Sequence, residues 1–153
     1  MTDRPTIALE DPDQPALRAM LAEADALYNA LYPPEDNDLL DVEALRRPAV
    51  AFYVARLAGA LAGCGALVAA DGWGEVKRMY VDPARRGRGI GRLILEALED
   101  HARRGGLRLL RLETGTRQPA ALSLYRAAGF MPRGPFGAYR ENPSSLFFEK
   151  PLG

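Results

Sequence analysis

Cysteine is nearly missing from this chain. Cys64 is the only one in 153 residues, so an internal disulfide and a paired-thiol redox site are both excluded. Histidine is as scarce, with His101 alone, and no cluster of His, Cys, Asp and Glu has metal-ligand spacing, so no metal is expected. Net charge is lacking too: 20 basic and 20 acidic side chains cancel, which argues against a nucleic-acid partner or an anionic membrane surface. No apolar run approaches the roughly 20 residues needed to span a bilayer. The opening MTDRPTIALEDPDQ has no apolar signal-peptide core, and a cytoplasmic protein without a membrane partner is the expectation.

What is present is a chain with 48% apolar residues, long enough to bury one sizeable core and too short for two ordinary domains. One compact domain over residues 1–153 is expected. Thr6 to Leu9 reads as an opening strand. Asp13 stands where an N-cap would, and Leu17, Met20, Leu21, Ala24, Leu27 and Leu31 recur at helical spacing, which predicts a helix from Gln14 to about Leu31. Pro33 and Pro34 end it, and an acidic irregular segment leads to a short helix over Val42 to Arg47. Val50 to Leu57 and Leu61 to Ala70 flank Ala58-Gly59 as a hairpin, and Glu75 to Val81 is the next strand. Ile90, Leu93, Ile94, Ala97, Leu98 and His101 lie on one face of a helix ended by Gly105-Gly106. A strand over Leu107 to Thr114, a helix over Pro119 to Ala128, and strands at Phe130 to Arg133 and Leu146 to Lys150 complete the order. This is an α/β pattern: a mixed, mostly antiparallel central sheet flanked by helices on both faces.

The densest chemical signal is RRGRGIGR. It places four arginines and three glycines between Arg85 and Arg92, at the start of the helix that opens at Ile90. The first amides of a helix lack intrahelical partners and carry the positive end of its dipole, so an anion is stabilised there. Glycine removes the Cβ that would hold a phosphate off the main chain, and arginine pairs with its oxygens. A Walker loop is excluded, because Gly91 is followed by Arg92 and Leu93 rather than Lys and Ser or Thr. The dinucleotide fingerprint fails as well, since its third glycine would fall on Arg92.

The pattern that fits is RxxGxG, read as Arg86, Gly89 and Gly91, directly after a strand. A second segment, QPAALSLYRAAGF from Gln118 to Phe130, follows after the strand LRLLRLETG. In these motifs, their order and their spacing, the sequence resembles the GNAT superfamily of acetyl-CoA-dependent N-acetyltransferases. That resemblance implies the acyl-CoA N-acyltransferase fold, with acetyl-CoA as cosubstrate. It places Met79, Tyr80, Val81, Arg86, Gly87, Arg88, Gly89, Ile90, Gly91, Arg92, Gln118 and Ala121 against that cosubstrate. It also implies that the strand before the loop splays from its neighbour.

Acetyl transfer to an amine needs a base, because a lysine-like amine with a pKa near ~10.4 is mostly protonated at neutral pH. Glu75 matches the position of the catalytic glutamate in several family members, with Glu113 on the neighbouring strand as the competing base. Tyr125 matches the residue that attends the departing thiolate. Backbone amides at Met79 to Val81 suit the thioester carbonyl. By the same analogy the acceptor enters between the loop carrying Tyr32, Glu35, Asp36 and Asp38 and the later strands, where Glu113, Thr114 and Tyr139 stand. Arg140 would suit a substrate carboxylate. A small-molecule primary amine is the expected acceptor, with a protein N-terminus or lysine, or a non-catalytic CoA-binding module, as alternatives. A homodimer is a further expectation. Cys64 reads as a small buried hydrophobe and His101 as structural.

Overall fold

The computed structural model describes residues 4–37 and 39–153. Seven strands form one sheet in the order β1-β2-β3-β4-β5-β7-β6. The strands are β1 (Thr6–Leu9), β2 (Val50–Leu57), β3 (Ala60–Ala69), β4 (Gly74–Val81), β5 (Leu109–Gly115), β6 (Met131–Arg133) and β7 (Ser145–Pro151). All neighbours are antiparallel except β4 and β5. The helices are α1 (Pro15–Leu31), α2 (Val42–Leu45), α3 (Ile90–Arg104) and α4 (Pro119–Ala127). None is long and apolar enough to cross a membrane. The expected mixed sheet with helices on both faces is the fold observed.

Alternation along β2 shows how the two layers arise. Tyr53 and Ala55 face the core shared with Ile94, Leu95 and Leu98 of α3, whereas Phe52 and Val54 face Leu17, Leu21 and Ala24 of α1. A strand buried on both sides has little room for polar residues, and β2 accordingly reads VAFYVARL. α3 lies close to β3 because Gly63 and Gly65 offer no side chain. A Cβ at Gly65 would stand 2.7 Å from Ile94 Cγ2 and 2.6 Å from Met79 Sδ.

Three local expectations are corrected. Gln14, not Asp13, is the N-cap of α1, and no side chain caps it. Pro15 takes the first helical position with its fixed φ and missing N–H, and Asp13 instead pairs with Arg18 at 2.7 Å. The second helix stops at Leu45 rather than Arg47, its start capped by Asp41, which accepts from Ala44 N. Of the expected apolar stripe on α1, Leu27 and Leu31 are not core residues; they line the cleft described next.

Candidate active site

β4 and β5 pair over only three positions, Gly74 with Leu110, Glu75 with Arg111 and Val76 with Leu112. Beyond Val76 the strands separate, leaving one side of β4 from Lys77 onward unpaired by β5. Parallel strands joined through a helix diverge readily once the side chains between them stop packing. The fork opens into a cleft of about 700 Å³, within the range of small-molecule sites. Five of the chain's six tyrosines, Tyr28, Tyr32, Tyr80, Tyr125 and Tyr139, line it.

One end of the cleft is the start of α3. Its N-cap is Gly89 in the left-handed region (φ 76°), with no side-chain cap and no acidic residue in the first turn. The first amides of the helix therefore face the cleft with the dipole behind them. Gly87 (φ 82°) and Gly89 are required for their backbone conformation rather than for space, since a Cβ at either would meet nothing within 4 Å. Gly91 serves packing instead: its Cβ would stand 3.3 Å from Leu124 of α4. Arg85, Arg86 and Arg92 also line this region. Arg86 is held by its Nε donating to Val81 O at 3.2 Å and by stacking on Tyr80. These residues fit a pyrophosphate, because they combine unpaired amides, left-handed glycines and guanidinium groups. Arg88 is exposed and does not line the cleft.

The opposite end is acidic. Asp36, Glu75 and Glu113 line it, with Lys77 as the cation among them. Tyr139 donates to Glu75 Oε2 at 2.5 Å, and Lys77 Nζ donates to Tyr139 Oη at 2.8 Å and lies 3.6 Å from Glu75. Glu113 Oε2 accepts from Ser145 Oγ at 2.6 Å. Ser144 Oγ donates to Asp36 Oδ2 at 2.7 Å, tying the segment after α1 to the segment before β7. Tyr32 is buried, and its hydroxyl accepts from Arg117 N at 3.0 Å. Thr114 lines the cleft beside Glu113, whereas Glu35 and Arg140 are exposed and outside it. Asp38 lies outside the described residues.

Between the two ends sit Tyr125, Met79, Tyr80 and Val81, with Gln118 and Ala121 from the start of α4. Burial, reinforced by the neighbouring Tyr28 and Glu113, pushes the Tyr125 phenol up, so it stays protonated. Sequence reasoning missed Tyr28, Lys77, Arg78 and Arg117, all of which line the cleft. Tyr28 was legible as a residue seven positions after Leu21 on the same face of α1. Arg78 had no signal.

Arg78 is unusual in three ways. It adopts φ 57° at a β-bulge, where Cys64 pairs with Tyr80 but Ala66 pairs with Lys77. Such a bulge position normally holds glycine, and a non-glycine residue there costs on the order of 1–3 kcal/mol. Its side chain is only 2% exposed, with Nη1 donating to Asp25 Oδ1 at 2.6 Å and Nη2 to Leu21 O at 3.4 Å. Its Nε is buried without a partner among the described residues, a further penalty of roughly 1–3 kcal/mol.

Neither minor candidate enters the site. Tyr53 Oη lies 2.9 Å from His101 Nδ1, far from the cleft lining. Cys64 is fully buried, and that burial pushes its thiol up to about 12. Among the described residues no group of three or more His, Cys, Asp or Glu could hold a metal ion.

Known proteins resemble this chain along most of its length. The profile of the acetyltransferase (GNAT) family matches residues 17–130. A protein of Azospirillum brasilense named IAA acetyltransferase is 50% identical over 149 residues, covering 96% of this chain and 97% of that one. A crystal structure from Klebsiella pneumoniae subsp. pneumoniae, assigned by name to the acyl-CoA N-acyltransferases, is 37% identical with a TM-score of 0.83, covering 97% of this chain and 98% of its own. The PaiA N-acetyltransferase of Thermoplasma acidophilum, solved in complex with coenzyme A, shares the fold at 20% identity and a TM-score of 0.74, covering 97% of this chain and 99% of its own. A forked sheet, a basic helix start and a protonated tyrosine between them are thus set in a chain with full-length relatives of one kind: it belongs to the acetyltransferase (GNAT) family and is an acetyl-CoA-dependent N-acetyltransferase.

Proposed function

We propose that the acceptor is a small-molecule primary amine, acetylated by direct attack on the thioester. The observation that carries this reading is the Ser144–Asp36 hydrogen bond. It bridges the segment after α1 and the segment before β7, and a bridge across the acceptor end disfavours an extended polypeptide there. The carboxylates of Asp36, Glu75 and Glu113 line that end with Lys77 among them, and they attract an ammonium group. The half-identical relative from Azospirillum brasilense is named for IAA rather than for a protein acceptor, which supports the same reading.

In the proposed mechanism Met79, Tyr80 and Val81 line the unpaired side of β4 with their amides near the thioester carbonyl. The amine nitrogen attacks the carbonyl carbon, a carboxylate takes the amine proton, and the C–S bond breaks as Tyr125 donates toward the leaving sulfur. Sequence puts Glu75 first as the base, with Glu113 in competition; one observation favours Glu113, whose charge is among the causes that raise the Tyr125 phenol. Both carboxylates are bonded, Glu75 by Tyr139 and Lys77 and Glu113 by the Ser145 hydroxyl. Arg86 and Arg92, with the first amides of α3, would hold the pyrophosphate.

The test is acetyl-CoA turnover, followed as thiol release, across amino acids, polyamines, aminoglycosides and short peptides. Cys64 is buried with its thiol pushed up to about 12, so the folded enzyme contributes no thiol background. Release that depends on a small amine is expected. Release only with peptides would overturn the small-molecule reading.

A further inference from the structure

Three consecutive features of the β4 bulge are bonded to other elements. The Arg78 guanidinium is held by Asp25 and by the carbonyl of Leu21, the Arg78 carbonyl accepts from Cys64 Sγ at 3.4 Å, and the Met79 carbonyl accepts from Tyr28 Oη at 3.3 Å. Leu21, Asp25 and Tyr28 stand at i, i+4 and i+7, one face of α1. A single helix face therefore grips Arg78 and Met79 of β4, the second of which opens the run Met79 to Val81 whose amides are assigned to the thioester carbonyl.

The chemistry of residue 78 makes stability a poor explanation for this grip. Its backbone conformation favours glycine, its guanidinium is removed from water, and its Nε lacks a partner among the described residues. Local rules broken together in this way are expected at functional sites. Gly65 opposite the bulge leaves the space into which the Met79 side chain turns. The bulge rotates the main chain by one residue and so changes which amides face the fork.

We propose that Asp25 and Arg78 are positioning residues for acetyl transfer: their ion pair clamps the β4 bulge to α1 and so aims the amides of Met79 to Val81 at the thioester carbonyl. Asp25 does not line the cleft; it acts only through Arg78. The inference rests on the reading that these amides polarise the carbonyl, and not on the identity of the acceptor.

The experiment is isotope-edited infrared spectroscopy of [1-13C]acetyl-CoA bound to the whole protein, with calorimetric affinity for CoA measured alongside. In the wild type the carbonyl stretch is expected to move to lower frequency on binding, as donors aimed at the oxygen weaken the C=O bond. Asp25→Ala and Arg78→Met are expected to lose about half of that shift or more and to turn over about ten- to a hundredfold more slowly. CoA affinity should be little changed, because the Arg/Gly loop remains intact. Arg78→Lys keeps a cation opposite Asp25 and should restore part of the shift. A wild-type shift fully retained in Asp25→Ala and Arg78→Met would overturn the clamp, as would lost CoA affinity with the shift of the bound fraction intact. No shift in the wild type would instead refute the role given to the amides, and the clamp with it.

Discussion

The phenol oxygen of Tyr32 occupies the place where a side chain on Gly115 would begin: a Cβ added at residue 115 would stand 1.9 Å from it. The end of α1 and the end of β5 are thus locked through one aromatic ring, whose hydroxyl also accepts from Arg117 N. Gly115→Ala must displace the Tyr32 ring from this position at the acceptor end of the cleft. Overpacking of this kind costs typically about 1–3 kcal/mol, so thermal unfolding should begin at lower temperature and the acceptor KM should rise. Tyr32→Phe keeps the ring and loses one hydrogen bond, with an expected loss of about 1 kcal/mol.

The arginines of the loop are predicted to be unequal. Arg86 lines the cleft and is held against Tyr80 and Val81, whereas Arg88 is exposed outside it. Arg86→Ala should weaken acetyl-CoA binding by about tenfold or more, in keeping with the loss of a charge-assisted contact. Arg88→Ala should change it less than threefold by the same reasoning about exposed charge. Isothermal calorimetry at two salt concentrations separates these outcomes.

The two carboxylates make a sharper comparison. Glu113→Gln is expected to lower kcat by roughly 10²–10⁴, the usual worth of a positioned base. Glu75→Gln keeps an acceptor for the Tyr139 hydroxyl while removing the charge that faces Lys77. It should act mainly on acceptor KM. A larger kcat loss in Glu75→Gln than in Glu113→Gln, measured with one amine at saturating acetyl-CoA, would reverse the assignment.

Tyr125 carries a pH prediction. Burial raises its phenol above the ordinary 10.0, so the acid form needed to attend the sulfur persists at every pH below that value. The rate should therefore show no alkaline decline from this group up to about pH 10, and Tyr125→Phe should lower kcat about tenfold or more without moving the profile.

His101 gives a prediction for stability. Burial, with Arg104 nearby, lowers its pKa from 6.5, and Arg104 donates to Tyr53 Oη, leaving the tyrosine proton for Nδ1 of a neutral ring. Below pH 6.5 the unfolded chain takes up a proton that the folded one resists, so stability is present at neutral pH and is lost as pH falls. Unfolding midpoints measured from pH 7.5 to 5 should decline less steeply in His101→Gln.

How much of this was readable in advance depends on the reach of each interaction. The hairpin turn at Ala58-Gly59, the Pro119 helix start and the Arg/Gly helix entrance were legible because each is decided by residues a few positions apart. The anion site was legible for the same reason: it consists of a helix end, its glycines and adjacent arginines.

The amino-acid sequence by itself thus determined the order of elements, the two-sided burial of the sheet and the family. The tertiary structure alone decided where β4 leaves β5 and that Tyr139 reaches Glu75 across 64 residues of chain. It also decided that Arg78 turns inward to α1 in a conformation its residue type disfavours. Such contacts arise from the packing of distant segments, and no local propensity or spacing carries a record of them.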